Sequence, residues 1–474
     1  METQHHELGM IGLGVMGRNM LLNMADHGFP VAGYDKDPTQ IEALHQEAAG
    51  ADVHAVARIK DFVALLRQPR AIMMLVPAGA PVDSVIADLL PLLQKGDLII
   101  DAGNSHYLDT NRRSDGLAAS GIQFMGVGVS GGEEGARHGP SIMPGGQREA
   151  YERIRPVFEA IAAKVNEDPC VVYLGPGSAG HFVKMVHNGI EYAVMQLLAE
   201  TYDLMKRGLG LGDDELHDVY EAWNQGELNS YLVEITSLIF SQVDGRTGKR
   251  LIGEILDVAR QKGTGMWTSQ SGMDLQVPAP TIDLAVVMRN LSADTEQREK
   301  FGETFERPIP RFAGNGQAFI EQLGHALHAA MIVAYAQGMA VLSAASDKYE
   351  YQLDLEAVAR IWRGGCIIRA ELLDDIRSAY RKRPELLNLL LAPEISKKIV
   401  ANQQDLRSVV CAAIQMGLPT PCFMTAVSYF DGYRSAWLPA NLIQAQRDYF
   451  GAHSYERIDA KGTFHSDWTK GQRR

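Results

Sequence analysis

The sequence predicts an α/β chain with a Rossmann-like, doubly wound domain in residues 1–178, a large all-α domain in residues 179–437 and a C-terminal tail in residues 438–474. Three observations carry this. Short aliphatic runs alternate with helix-like segments through the first third, the pattern of a parallel sheet with helical crossovers. Past Gly175-Pro176-Gly177-Ser178 the strand signal fades, and long stretches rich in Ala, Leu, Met and Glu show helical periodicity instead. After Leu438-Pro439 the composition changes again. A polar and aromatic segment runs from Asn441 through Asp448, Tyr449, Phe450, His453 and Tyr455 to Trp468, too aromatic for a solvated, disordered tail.

Taken in order, the expected strands are Leu8–Leu13, Val31–Tyr34, Ala71–Val76, Leu98–Asp101, Ile122–Val127 and Cys170–Leu174, and helical periodicity is clearest over Ala193–Leu209 and Ala318–Ala345. The first strand runs into Gly12-Leu13-Gly14-Val15-Met16-Gly17, a G-x-G-x-x-G turn, followed by the helix-like Arg18–His27. Glycines suit that place because the turn is tight and the backbone must approach a pyrophosphate whose charge rests on the helix N-terminus. The second strand ends in Asp35, at about the 20-residue spacing expected of a carboxylate that accepts from a ribose. Such a carboxylate accepts both ribose hydroxyls of NAD and repels the 2′-phosphate of NADP, so NAD is favoured. The alternative is that Asp35 only caps the next helix through Asp37-Pro38, and the neighbouring Lys36 is a cation that could still meet a phosphate.

Among 474 residues, 46% are hydrophobic and 22% charged, enough for a large core and two or three domains. The net charge of −13 argues against general nucleic-acid or membrane-surface binding, which needs clustered cations, but leaves room for a small anionic ligand. The four cysteines, Cys170, Cys366, Cys411 and Cys422, show no metal-ligand spacing. They are expected as buried free thiols in a reducing cytoplasm, and no metal site is expected. The polar start and the absence of a run of roughly 20 apolar residues point away from a signal peptide or a membrane span, and so to a cytoplasmic location.

The segment Gly180-His181-Phe182-Val183-Lys184-Met185-Val186-His187-Asn188-Gly189-Ile190-Glu191-Tyr192 is expected to open the helical domain. Lys184, His187, Asn188, Glu191 and Tyr192 fall at i, i+3, i+4, i+7 and i+8, one stripe of a helix. A stripe of this kind is ordinarily a solvated face with a Glu–Lys pair. Here nearly all the remaining positions are apolar, so the helix is expected to be buried and its stripe to line an enclosed site. Burial would lower the Lys184 pKa and raise that of Glu191, giving a base and an acid together near neutral pH.

At this point the sequence closely resembles the long form of 6-phosphogluconate dehydrogenase, in the β-hydroxyacid dehydrogenase superfamily, over nearly the whole chain. The resemblance rests on the Lys184–Tyr192 stripe and on Gly128-Val129-Ser130-Gly131-Gly132-Glu133-Glu134-Gly135-Ala136 and Gly139-Pro140-Ser141-Ile142-Met143-Pro144-Gly145-Gly146. Lys262-Gly263-Thr264-Gly265, Gly364-Gly365-Cys366-Ile367-Ile368-Arg369 and the run from Asn441 to His453 extend it. It implies oxidative decarboxylation of 6-phosphogluconate to ribulose 5-phosphate, the pentose phosphate pathway reaction, with no metal. Lys184 would be the base at the C3 hydroxyl and Glu191 the acid that protonates C1 of the enediol left after carbon dioxide departs. His187, Asn188 and Asn104 would hold the sugar, and Ser130, Gly131 and Gly132 its carboxylate. Tyr192, Lys262 and Arg289 would hold the phosphate, joined by Arg447 and His453 from the neighbouring subunit of a homodimer.

Cofactor contacts would come from residues 12–17, Asp35, Lys36, Asp37, Val76, Pro77, Ala78 and Asn104. The chain departs from the commoner NADP-linked pattern at three places. Gly14 stands where Ala is usual, Asp35-Lys36-Asp37 where Asn-Arg-Ser/Thr is usual, and Pro77 where Lys is usual. All three favour NAD over NADP. The alternatives are a dehydrogenase of another 3-hydroxy acid, which would not need the phosphate clamp, and a catalytically silent NAD-binding dimer, which would not need both Lys184 and Glu191.

Overall fold

Short aliphatic runs, most of them buried on both faces, build the first third of the chain into one sheet. In the computed structural model, which describes residues 6–48, 50, 53–306 and 308–468, seven strands form it: β1 (Leu8–Ile11), β2 (Val31–Tyr34), β3 (Val53–Val56), β4 (Ala71–Met74), β5 (Leu98–Asp101), β6 (Gln123–Ser130) and β7 (Ser141–Gly146). Their spatial order is β3-β2-β1-β4-β5-β6-β7. The first six are parallel, with Met10 opposite both Gly33 and Met73, and β7 runs antiparallel to β6. The order reverses between β1 and β4, so a crevice opens beyond their carboxyl ends, where a doubly wound sheet binds its ligand. Residues 1–5 of the expected first domain and 469–474 of the expected tail lie outside the described residues.

Two strands escape the sequence pattern and one expected strand is corrected. Val53–Val56 is an edge strand with one polar and two half-buried positions, and Ser141–Gly146 carries Pro144 and two glycines, which read as a turn. A proline is tolerated there because the strand lies at the end of the sheet. Cys170–Leu174 forms no strand: it makes one isolated bridge, Val171 to Ile142, and exchanges the Ile142 N–H to Cys170 O and Leu174 N–H to Pro144 O bonds. Pro144 has no N–H with which to continue that ladder. β1 and β4 also stop two residues earlier than expected, at Ile11 and Met74.

Nine helices are used below: α1 (Val15–Asp26), α2 (Pro38–Glu47), α3 (Ala179–Asp203), α4 (Thr264–Asp274), α5 (Pro280–Ala293), α6 (Gly316–Tyr349), α7 (Pro393–Met416), α8 (Pro421–Arg434) and α9 (Ala440–Gly451). The expected Ala193–Leu209 helix is the second half of α3 plus a π-helical turn, Leu204–Leu209, ended by the left-handed Gly210. α3 packs on β6 and β7 and against α4, α5 and α6. α6 contains an 18-residue window of mean hydropathy 1.5, long and apolar enough by length and composition to cross a membrane. That window is 78% buried inside the protein, where α6 packs on α3 and α7. All four cysteines are free, and Cys411, against expectation, is exposed.

The chain divides into two compact units, residues 1–426 and 427–474. The first holds the sheet and the helices through the first turns of α8. In the second, α9 is followed by a two-stranded hairpin, Tyr455–Glu456 with Thr463–Phe464.

Candidate active site

β1 delivers the chain into the glycine-rich turn. Gly12 takes φ +89°, and a Cβ on Gly17 would stand 1.8 Å from Gly12 O, so only glycine lets α1 start this close to β1. Gly14 is the N-cap of α1; no side chain caps that end, and a Cβ there would meet nothing within 4 Å. The turn therefore offers uncapped N–H donors and open space, which fits a pyrophosphate. The Leu13 side chain is buried in the core, so only its backbone faces the turn.

At the end of β2, the Asp35 carboxylate accepts from the Leu13 N–H at 2.8 Å with one oxygen and from the Asp37 N–H at 3.0 Å with the other. Helix capping belongs to Asp37, which accepts from Thr39 N–H at 2.9 Å. Asp35 thus braces the turn. Lys36 is exposed. Arg18, which the sequence reading did not single out, is a second cation here. Its guanidinium donates to Glu47 at 2.8 Å and reaches the Leu13 carbonyl at 3.3 Å.

Gly14, Val15, Met16, Gly17, Val76, Pro77, Ala78 and Asn104 line one cleft of about 660 Å³ together with Asn188, Lys262, Thr264 and Trp267. Residues expected to hold cofactor and residues expected to hold substrate therefore share a single cavity. Asn104 sits at φ +55° and accepts from the Val129 N–H at 3.3 Å, which fixes its side chain against the end of β6. Beyond Ser130, Gly131 and Gly132 also take positive φ. A side chain on Gly131 would strike the Gly365 carbonyl at 2.7 Å.

The polar stripe of α3 is buried, as its apolar surroundings require. Lys184 is 5% exposed and His187 is fully buried. A Cβ on Gly128 would lie 2.3 Å from the Lys184 Cβ, so the glycine in β6 is what lets the lysine stem lie on the sheet. Lys184 Nζ is 3.5 Å from His187 Nδ1, which is 3.0 Å from Asn188 Oδ1 and 3.8 Å from Glu191 Oε2. His187 Nε2 lies 3.2 Å from Ser130 Oγ, and Asn188 Nδ2 donates to Thr264 Oγ1 at 2.9 Å. The network closes when neutral His187 carries its hydrogen on Nδ1 and accepts from Ser130 on Nε2.

Burial pushes the Lys184 ammonium below its ordinary range, against the opposing pull of Glu191. It pushes the Glu191 carboxyl up, against Lys184 and Arg289. His187 is held well below the usual histidine range by burial and then by the Lys184 charge, so it stays neutral. An amine pushed down and a carboxyl pushed up, two turns apart on one helix face, are suited to take up and deliver protons.

At the other end of the stripe the buried Tyr192 lies under Arg289, whose guanidinium carbon is 3.6 Å from the ring centroid. Arg289 is half-buried and also donates to the Arg260 carbonyl at 2.9 Å, which makes it a held cation rather than a free surface one. Lys262 is exposed at the rim of the cleft. Arg447 and His453 belong to the second unit, both exposed, with Arg447 donating to Gln444 at 3.0 Å. The sequence reading missed Thr264, which orients Asn188, and Trp362, which stands edge-on to His187 at 5.7 Å between centroids. Thr264 lay in a quoted motif. For Trp362 no local pattern could have given the contact.

Residues 7–175 match the family model described as the NAD binding domain of 6-phosphogluconate dehydrogenase, and residues 180–468 match its C-terminal domain. An NADP(+)-dependent, decarboxylating 6-phosphogluconate dehydrogenase of Bacillus subtilis is 51% identical over 465 residues, 98% of this chain and 99% of the relative. An NAD(+)-dependent one from the same organism is 49% identical over 466 residues, covering 98% and 100%. The solved Plasmodium falciparum 6-phosphogluconate dehydrogenase, described as apo and in complex with NADP+ and with 6-phosphogluconate, superposes with a TM-score of 0.94 at 40% identity, over 98% of this chain and all of that one.

Proposed function

Given that the chain belongs to the decarboxylating 6-phosphogluconate dehydrogenase family, we propose that Lys184 and Glu191 carry the proton transfers of its reaction and that NAD is its preferred oxidant. One observation carries the reading: an amine pushed down and a carboxyl pushed up share one buried helix face with Asn188, which lines the cleft that the glycine-rich turn opens.

Residues 12–17 would hold the pyrophosphate, Val76, Pro77 and Ala78 would flank the cofactor, and Asn104 would lie between it and the sugar. A bound nicotinamide supplies the acceptor for the C3 hydride. Lys184, entering as the neutral amine, takes the C3 hydroxyl proton. As an ammonium it then donates to the new C3 carbonyl, drawing in electron density while the C1–C2 bond breaks and carbon dioxide leaves. Glu191, entering protonated, delivers its proton to the carbon that lost the carboxylate. His187 stays neutral between them and, with Asn188, holds sugar hydroxyls. Ser130, Gly131 and Gly132 receive the carboxylate. Tyr192, Lys262 and Arg289 receive the phosphate, completed by Arg447 and His453 of the neighbouring subunit in a homodimer.

The preference for NAD rests on charge. The Asp35 carboxylate is pinned at the end of β2 by two backbone N–H groups. Asp37 adds a second exposed carboxylate, Pro77 offers no cation, and Arg18 is engaged by Glu47. A 2′-phosphate would meet this negative field, whereas ribose hydroxyls would donate into it. Steady-state kcat/KM with each cofactor at saturating 6-phosphogluconate tests the reading. An NAD value at least ~10-fold above that for NADP, about 1.4 kcal/mol, is expected; a higher value with NADP overturns it.

A further inference from the structure

In the second unit, one carboxylate gathers more donors than any surface residue needs. Asp448, on α9, has no exposed surface. Its Oδ1 accepts from the Ser454 N–H at 2.8 Å and meets His465 Nδ1 at 2.9 Å. Its Oδ2 accepts from the Ser466 N–H at 3.1 Å and from the Trp468 indole N–H at 2.8 Å. Burial opposes ionisation here, yet these four donors hold the carboxyl well below the usual carboxylate range.

The bonds converge on a strained stretch. Ala452 at φ +49° and Ser454 at φ +59° put two non-glycine residues into the left-handed region on either side of His453. Each costs of order 1 kcal/mol unless something fixes it, and the Asp448–Ser454 bond closes this turn. Gln444, one turn back on α9, donates to the Ser454 carbonyl and accepts from Arg447. His453 is folded back on α9, since a Cβ on Gly451 would fall 2.6 Å from its Nε2. Asp448 is the chain neighbour of Arg447 and the anchor of the turn that carries His453. It also fastens the segment beyond the terminal hairpin through Ser466 and Trp468.

We propose that Asp448 is a positioning residue that fixes Arg447 and His453 in the orientation in which they grip the substrate phosphate, a role that rests on the reading of those two residues as phosphate ligands. The carboxylate touches no substrate. Its two oxygens are needed because an amide in its place turns one acceptor into a donor facing two other donors.

Kinetics of the full-length Asp448→Asn enzyme with 6-phosphogluconate and with unphosphorylated gluconate test this. The expected result is a KM for 6-phosphogluconate raised by about tenfold, kcat within about threefold of the parent, and kcat/KM for gluconate unchanged within about twofold. The preference for the phosphorylated substrate should then collapse. An equal fall on both substrates, or an undiminished preference for the phosphate, overturns the proposal. Trp468→Phe removes a single donor and keeps an aromatic side chain, so it serves if Asp448→Asn does not fold. It should shift the same preference by about twofold to threefold, and no shift counts against the proposal. Arg447→Ala separates the two claims. If Arg447→Ala keeps the preference, the phosphate reading itself is wrong. If it loses the preference while Asp448→Asn keeps it, only the positioning role fails.

Discussion

Glu191 and Glu200 sit on the same helix, α3, and burial pushes both carboxyls upward, but the middle of the helix and its C-terminal end treat that charge differently. Glu191 is near cations, Lys184 and Arg289, and its side chain retains 18% exposure. Glu200 is 2% exposed and accepts from the Cys422 N–H at 2.9 Å and the Phe423 N–H at 3.1 Å, at the start of α8. One carboxyl faces groups that can change charge and position during a reaction. The other is held by two backbone N–H groups and the Gln196 amide and ties α3 to α8. A shifted pKa therefore marks burial, and partners and access decide whether it marks chemistry.

The comparison is sharpest in paired substitutions. Glu191→Gln keeps size and removes the proton, so kcat should fall by about 10²- to 10⁴-fold, the usual contribution of a general acid, with thermal stability little changed. Glu191 acts protonated and loses activity as pH rises through its raised pKa. Lys184 acts as the neutral amine and loses activity as pH falls through its lowered one. The pH profile of kcat should be bell-shaped in the parent and lose its alkaline limb in Glu191→Gln. Catalysis by Glu191→Gln near the parent rate would erase the distinction between the two carboxyls.

Glu200→Gln should do the reverse. The folded-state pKa of about 7 lies above the ordinary 4.5. Its favourable contribution is thus present below about pH 4.5 and is lost as pH rises through 7, by roughly 3 kcal/mol in all. The variant should flatten the stability–pH curve between about pH 4.5 and 7, the interval set by the two pKa values, measured by denaturant unfolding, while kcat stays within about twofold of the parent. An unchanged curve would show that Glu200 ionises freely. Thr264→Val, which removes only the hydroxyl that accepts from Asn188, should cost about 1 kcal/mol, or fivefold, in kcat/KM. No loss would leave Asn188 oriented by something else.

What the sequence made visible follows from range. The glycine-rich turn and the α3 stripe are local patterns of strand, turn and helix period, and both stand where the pattern put them. The lowered Lys184 and raised Glu191 also followed from reading one helix as buried. Contacts between distant segments were invisible: Thr264 on Asn188, Trp362 on His187, and Glu200 on the start of α8 join residues with no common period. Glu200 among Ala and Leu reads as an ordinary exposed helix residue. Asp35 was read toward the ribose, and its bond to the Leu13 N–H across the turn could only come from the folded chain. Pro144 and its glycines hid β7 behind a turn signal, and the same proline prevents Cys170–Leu174 from completing a strand.

The central claim is that the buried Lys184 amine is the base of the reaction. It is tested most directly by the rate of reduced nicotinamide formation from 6-phosphogluconate by Lys184→Met, which keeps an unbranched side chain in the same buried slot. The account predicts a loss of at least ~10³-fold in kcat with cofactor binding retained; turnover within tenfold of the parent would contradict it.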